Sequence, residues 1–185
     1  FCPEDIVFLD TETTGLAGGT GTVAFLVGLG YMEEGALVVD QFLMRDFDEE
    51  IPMMRAVTER LERCQVLVTF NGKSFDWPLL ESRMILSGLR PAGWEGTHLD
   101  LLYLARRLWG ARLENCSLST LEENILLRRR TDDIPGYMIP NIYLEYLRTR
   151  KPEAMRRVIR HNEWDIVAMA ALLIAGGDLF HAPHK

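Results

Sequence analysis

The chain has 185 residues, of which 48% are hydrophobic and 25% charged, with a formal net charge of −7. This is enough apolar sequence for one compact domain with a substantial core. No apolar run approaches the 18 or so residues of a membrane-spanning helix, so we expect no transmembrane segment, and no signal peptide is visible. The first residue is Phe1 rather than Met, so the chain could be a processed or excised fragment.

Three apolar segments near the N-terminus predict strands, at residues 5–10, 23–29 and 36–44. A glycine-rich link over residues 15–21 joins the first two, and a turn-like Glu33-Glu34-Gly35 joins the second to the third. Because these links are short, we expect the three strands to form an antiparallel meander.

Helices and strands then alternate along the chain. Helical spacing predicts a helix over residues 48–64, and a compact apolar strand follows at 66–70. Further patterns predict a helix over 76–86, a short strand at 98–100 and a helix over 101–108. This order indicates an α/β fold with a five-stranded mixed sheet, three antiparallel strands followed by parallel ones, flanked by helices.

From residue 117 onward the sequence is typical of helices. Ser119-Thr120-Leu121-Glu122 fits a capping box, and a helix is predicted over residues 141–149. The last helix is predicted to begin near Pro152 and to end at Gly176-Gly177, since glycine commonly follows a helix. Without a clear linker or repeat, we predict that residues 1–185 form a single domain.

An acidic pair, Asp10 and Glu12, lies where the first predicted strand ends. Side chains two residues apart on a strand point to the same face, so both carboxylates can bind one metal ion. They continue the apolar side of the pattern, where an unpaired carboxylate costs several kcal/mol. The sequence therefore predicts a positive partner at this strand end.

Two other segments supply matching groups. Asp76 stands at a predicted helix start, and His161 and Asp165 are four residues apart on the last helix, so they share a face. Four carboxylates from distant segments, with one histidine, suit hard divalent ions, Mg²⁺ or Mn²⁺. Two such ions about 4 Å apart can stabilise an in-line phosphoryl displacement, for which a histidine can take the proton of the attacking water.

Three motifs in this order resemble those of the DnaQ-like, or DEDD, 3′–5′ exonucleases of the ribonuclease H-like fold. The first is Asp10-Thr-Glu12-Thr-Thr-Gly-Leu, the second runs from Phe70-Asn71 to Leu80 through Asp76, and the third is His161-Asn-Glu-Trp-Asp165. Asp132-Asp-Ile-Pro-Gly136 with His161-Asn162 is similar to bacterial YprB-type ribonuclease H-like domains. The histidine-type exonucleases place their histidine five residues before the aspartate, whereas the gap here is four.

The resemblance implies a role for each matching residue. Asp10, Glu12 and Asp165 would hold the first metal ion, while Asp10, with Asp76 through water, would hold the second. His161 would be the general base. The pocket for the terminal nucleotide would be lined by Thr13, Thr14, Gly15, Leu16 and Asn71. Lys73 is either an exposed turn lysine or a contact to a substrate phosphate.

The charge is polarised along the chain. Residues 1–127 carry 10 Lys/Arg against 20 Asp/Glu, whereas residues 128–160 carry 9 against 4. The basic segment is either a solvated face or a surface that follows a nucleic-acid backbone. Its tyrosines could stack bases, although Tyr143 and Tyr146 have the spacing of core residues. Three widely spaced cysteines predict a reducing, cytoplasmic setting.

These observations predict a hydrolase, most simply a 3′–5′ exonuclease that acts on a single-stranded 3′ end of DNA or RNA by a two-metal-ion mechanism, with no membrane partner. Two alternatives stay open. One is an endonuclease of the same fold that cuts RNA or structured DNA. The other is a nucleic-acid-binding module with weak or no catalysis.

Overall fold

A computed structural model describes residues 2–15, 21–62, 64–89 and 96–181. Five strands form one sheet in the order β3-β2-β1-β4-β5. The strands are β1 (Ile6–Thr13), β2 (Ala24–Glu33), β3 (Ala36–Leu43), β4 (Val66–Thr69) and β5 (Thr97–Asp100). The α-helices are α1 (Glu50–Leu61), α2 (Asp76–Leu86), α3 (Leu101–Trp109), α4 (Leu118–Asn124), α5 (Ile139–Thr149) and α6 (Glu153–His181).

The sheet is mixed, as the sequence predicts. Strand β2 pairs antiparallel with both β1 and β3, whereas β4 pairs parallel with β1 and β5. The two-residue turn at Glu34 and Gly35 has positive φ at both positions, which is the geometry that joins adjacent antiparallel strands. Strand β1 is central, so its carboxyl end lies in the middle of one edge of the sheet.

Alternation along β1 divides the core into two layers. Val7 and Leu9 pack with α1, α2 and α5, whereas Phe8 packs on the opposite face with α3, α4 and most of α6. Asp10 and Glu12 continue the series of Phe8 along the strand, so they belong to the α6 face. The intervening Thr11 belongs to the α2 face.

The last helix does not end where the sequence predicts. Helix α6 continues through Gly176 and Gly177 to His181. Gly176 is buried, and a Cβ atom there would lie 3.3 Å from Leu104 of α3. The glycine therefore permits close helix packing rather than ending the helix.

The predicted capping box at residues 119–122 is also wrong. Helix α4 begins two residues earlier, with Ser117 as its N-cap, and the Ser117 hydroxyl accepts a hydrogen bond from the Thr120 N–H at 3.2 Å. Glu122 is buried and points into the fold. The chain then runs irregularly over residues 126–135, with positive φ at Leu127 and Asp132. Among the described residues, no helix is long and apolar enough to cross a membrane.

Candidate active site

The carboxyl end of β1 carries the first part of the site. Asp10 is held from α6 by the Asn162 amide, which donates hydrogen bonds to Asp10 Oδ2 at 2.7 Å and to the Asp10 carbonyl at 3.3 Å. The Asn162 oxygen in turn accepts from Gln41 of β3 at 2.8 Å. Asn162 is fully buried, and Gly28 of β2 leaves the space it occupies, because a Cβ at position 28 would lie 2.3 Å from Asn162 Oδ1. This chain of contacts fixes Asp10.

Asp76 reaches the same region from the N-terminus of α2. It is the first residue of that helix and is buried, as the sequence-based start of α2 implies. The Thr11 hydroxyl donates a hydrogen bond of 2.5 Å to Asp76 Oδ1. Thr11 lies between the two acids of β1, so one strand binds α6 on one face and α2 on the other. Thr11 was not among the residues predicted from the sequence, although its position between two acids on a buried strand was a usable signal.

Helix α6 brings His161 and Asp165 to the site. His161 Nδ1 lies 2.7 Å from Asp133 Oδ1, and His161 Nε2 lies 3.7 Å from Asp165 Oδ2. Asp133 therefore orients the imidazole and leaves Nε2 on the side of Asp165. Asp133 thus supports the site, whereas Arg129 pairs with Glu123.

Arg130 lies within the acidic site, whereas the sequence predicted it as part of the basic surface. Its side chain is only 10% exposed, and Nη2 lies 2.6 Å from Asp165 Oδ1 and 2.6 Å from Glu122 Oε2. Nη1 lies 3.2 Å from Asp133 Oδ2. The guanidinium also lies over the ring of Trp164, 5.7 Å from its centroid. Arg130 is thus a buried cation within the acidic site.

Burial raises the pKa values of all four acids, and repulsion from the other acids of the site adds to the shift at Asp10 and Glu12. For Asp10, burial acts first and the carboxylates of Asp165 and Glu12 next, and together they hold its pKa well above the ordinary value. Burial likewise raises the pKa of Glu12, with Asp165 contributing. Burial raises the pKa of Asp76 to about 6 against the opposing hydrogen bond from Thr11. Burial also raises the pKa of Asp165, although His161 and Arg130 oppose the shift.

The donor set fits divalent metal ions in chemistry. When ionised, these carboxylates carry more negative charge than one arginine can balance. Bound Mg²⁺ or Mn²⁺ would supply the remaining positive charge and would lower the raised pKa values. In the arrangement seen here, no three His, Cys, Asp or Glu side chains of the described part of the chain lie close enough to hold an ion together. Since Arg130 binds Asp165, metal binding would require these side chains to adjust.

The residues predicted to bind substrate surround the same end of the sheet. The Thr13 hydroxyl donates to the Gly15 carbonyl at 2.8 Å, and the Thr14 hydroxyl accepts from the Val23 N–H at 3.0 Å. These bonds shape the chain as it leaves β1. Leu16 lies outside the described residues.

Asn71 and Lys73 lie on the loop after β4. Asp100, at the end of β5, accepts hydrogen bonds from the Asn71 N–H at 2.8 Å and the Lys73 N–H at 3.1 Å, and it also caps α3. Asn71 has a φ of 64°, a conformation that asparagine tolerates better than most residues. Asp100 therefore fixes this loop, and Lys73 is exposed.

An open cleft of about 580 Å³ runs past the acids. Asp10 and Asp165 contribute to it, together with residues that the sequence analysis did not select. These are Phe70, Leu102, Arg106, Asn115, Cys116, Ser117 and Leu118. They come from the end of β4, from α3 and from the segment before α4, and only the fold brings them together.

Five of the nine basic residues in the predicted basic surface pair with nearby acids. Its ion pairs, besides those of Arg129 and Arg130, are Arg148 with Glu145, Arg150 with Asp46 and Arg157 with Asp132. Tyr143 is fully buried and stacks on Phe25 with 3.9 Å between ring centroids, so its predicted place in the core is confirmed. Tyr137 is 72% exposed.

A central strand that ends in two carboxylates, in a sheet of order 3-2-1-4-5 with further acids from α2 and α6, defines the class of ribonuclease H-like α/β proteins. The chain belongs to the RNase_H superfamily, whose family model matches residues 7–175. Membership of this superfamily supports a hydrolase that acts on nucleic acid.

Two similar proteins illustrate this relationship. The chain is 37% identical over 171 residues to the uncharacterized protein YprB of Bacillus subtilis (strain 168), a match that covers 92% of this chain and 41% of YprB. Its fold matches a family B DNA polymerase from the hyperthermophilic archaeon Pyrobaculum calidifontis, with a TM-score of 0.71 and 16% identity over 95% of this chain and 24% of the polymerase. The chain therefore spans less than half the length of either protein.

Proposed function

We propose that this chain is a metal-dependent 3′–5′ exonuclease that removes nucleotides from a single strand. The observation that carries the proposal is the convergence of Asp10, Glu12, Asp76 and Asp165 at one end of the sheet, with pKa values raised by burial. Such a group needs cations, and a cleft that opens onto it can admit a polyanion.

Each residue has a part in the proposed reaction. Asp10, Glu12 and Asp165 would hold one ion, while Asp10 and Asp76 would hold the second. Bound Mg²⁺ or Mn²⁺ would supply Lewis-acid activation of water and stabilise the charge that develops at phosphorus. His161 Nε2 takes the water proton while Asp133 accepts the Nδ1–H, so the imidazolium is stabilised as it forms. The water oxygen bonds to phosphorus, the bond from phosphorus to the leaving 3′ oxygen breaks, and that oxygen takes a proton from solvent water to become a 3′ hydroxyl.

The direct test is release of mononucleotides from a 5′-labelled single strand in Mn²⁺ or Mg²⁺. Asp10→Ala and Asp165→Ala should each abolish release. Removal of the metal ions with EDTA should abolish release by the wild type as well. A covalently closed circle in the same assay distinguishes an exonuclease from an endonuclease, because an endonuclease cuts the circle whereas an exonuclease leaves it intact. If either variant retains wild-type activity, the proposed site is wrong.

One observation favours a second candidate, a nucleic-acid-binding module with weak or no catalysis. Arg130 already pairs with Asp165 at 2.6 Å, so one predicted metal ligand has a cationic partner within the chain. Salt-sensitive binding of a strand without metal-dependent turnover would support this reading.

Two further predictions accompany the proposal. The described helices all pack on one continuous sheet, which supports a single domain over the chain. Cys2, Cys64 and Cys116 are thiols rather than members of a disulfide, which supports a reducing, cytoplasmic location.

A further inference from the structure

The cleft has an acidic end and one cation. Asp10 and Asp165 lie at the acidic end, and Arg106 is the only basic side chain among the described residues that line the cleft. Leu102 and Arg106 are four residues apart on α3, so both side chains belong to one face of that helix. Phe70 and Asn71 line the cleft from the end of β4.

Arg106 has no ion pair within the described residues, in contrast to several arginines elsewhere in the chain. It is exposed, whereas the arginines of the predicted basic segment at positions 129, 130, 148, 150 and 157 all pair with acids of the chain. An exposed guanidinium without an acidic partner keeps its full set of donors for an outside anion, and a phosphate fits its planar fork.

Part of the cleft lining is apolar. Phe70 and Leu102 are both half-buried and both line the cleft. An aromatic ring with an adjacent leucine suits the face of a base, and stacking of this kind is tolerant of sequence. Only an unpaired strand presents the faces of its bases, because a duplex keeps them stacked.

We propose that the α3 side of the cleft is the contact surface for a single nucleic-acid strand, with Arg106 binding a backbone phosphate on the 5′ side of the bond that is cut. This inference rests on the proposed function and specifies its substrate as an unpaired strand longer than one phosphodiester. The predicted basic segment over residues 128–160 then contributes less to strand binding than Arg106, because none of its basic side chains lines the cleft.

Arg107 provides a matched control for Arg106. It is the next residue on α3 and is also exposed, with no ion pair within the described residues, but it does not line the cleft. Arg106→Ala and Arg107→Ala therefore make the same change in net charge and in side-chain size, at adjacent positions of the same helix. Only the first removes a group from the cleft.

The test is the binding of a fluorescently labelled single strand of about 20 nucleotides, longer than the strand that one such site covers, measured by anisotropy with Ca²⁺ present and at several salt concentrations. Arg106→Ala should weaken binding at least fivefold and lower the slope of log K against log salt by about 0.7, the value for one phosphate contact on a single strand. Arg107→Ala should stay within twofold of the wild type, and Arg106→Lys should recover part of the loss. Equal effects of the two alanine variants would overturn the inference.

A small substrate separates this inference from the proposed function. Thymidine 5′-(4-nitrophenyl phosphate) has one diester and nothing that reaches Arg106, so Arg106→Ala should hydrolyse it in Mn²⁺ at the wild-type rate. If the wild type leaves this compound and the oligonucleotide intact, the proposed function fails while the binding comparison still decides the role of Arg106. If Arg106→Ala loses activity on the small diester as well, Arg106 acts on the site itself and the proposed strand contact is wrong.

Discussion

Arg130 Nη2 lies 2.6 Å from Asp165 Oδ1, and the same nitrogen lies 2.6 Å from Glu122 Oε2. Glu122 is 1% exposed and Arg130 10% exposed, and with Asp133 at Nη1 three anions surround this one buried cation. This cluster joins α4, the irregular segment that follows α4, and α6. The contact on α6 is at Asp165, the acid that this helix contributes to the site. The stability of this part of the fold and the position of Asp165 therefore depend on the same guanidinium.

Replacing the cation alone should destabilise the protein. Arg130→Gln leaves Glu122 buried without its charged partner, which costs on the order of 3 to 5 kcal/mol for a buried ion pair. We expect a loss of this size in the free energy of unfolding, measured by urea denaturation in EDTA.

The double variant Glu122→Gln, Arg130→Gln is the control for charge. It removes the buried anion together with its partner, so at least half of the loss should be recovered. A double variant no more stable than Arg130→Gln would show that Glu122 is not the source of the cost.

Gly28 should be intolerant of a side chain because of Asn162. A Cβ at position 28 would lie 2.3 Å from Asn162 Oδ1, so Gly28→Ala must displace the amide that binds Asp10. We expect roughly 1 to 3 kcal/mol of destabilisation from overpacking, measured by thermal unfolding, and a fall in metal-dependent activity. Gly136→Ala is the matched substitution, since nothing lies within 4 Å of a Cβ there, and it should change neither property.

Asp133 should matter for turnover more than for substrate affinity. Burial works to raise the pKa of Asp133, but the hydrogen bond with His161 prevails and holds it below the ordinary value. Asp133→Asn cannot stabilise an imidazolium in the same way, so we expect kcat to fall by roughly tenfold or more with KM nearly unchanged. Steady-state kinetics on the small diester would measure this, and a change confined to KM would contradict the role.

The metal-free protein should lose stability as the pH rises because of Asp76. Its pKa is about 6 in the folded protein against an ordinary 3.8, so between these values the folded state holds a proton that the unfolded state has released. The contribution of this proton to the free energy of unfolding is fully present below pH 3.8 and is lost as the pH rises through about 6.

The isosteric variant Asp76→Asn isolates this effect, since the carbonyl oxygen of the new amide can still accept the Thr11 hydrogen bond. Between about pH 4 and pH 7.5 in EDTA, the wild type should lose roughly 2 to 3 kcal/mol of unfolding free energy relative to the variant. Parallel stability curves for the two proteins would contradict the raised pKa.

Local patterns in the sequence predicted much of the fold and the acids of the site. Alternation in β1 places Asp10 and Glu12 on one face of that strand, and helical spacing places His161 and Asp165 on one face of α6. Both patterns could be recognised because each depends on one element only. The start of α2 at Asp76 and the mixed sheet follow from similarly local signals.

Features that depend on contacts between distant segments could not be predicted in this way. Nothing in the run Arg128-Arg129-Arg130 indicates which arginine is buried, since the answer depends on Glu122 and Asp165. Gly176 looked like a helix end because its contact with Leu104 of α3 is invisible in the sequence. The same holds for the Gln41 contact with Asn162, which lies 121 residues away along the chain.

The central claim, a site for two metal ions, is tested most directly by anomalous diffraction from crystals soaked in Mn²⁺. The account predicts two anomalous peaks about 4 Å apart, with Asp10 between them and Asp165 at one of them, its contact with Arg130 loosened. Soaked crystals of Asp10→Asn should lose at least one peak. Full Mn²⁺ soaking with no peak at these carboxylates, and with Arg130 still bound to Asp165, would contradict the account.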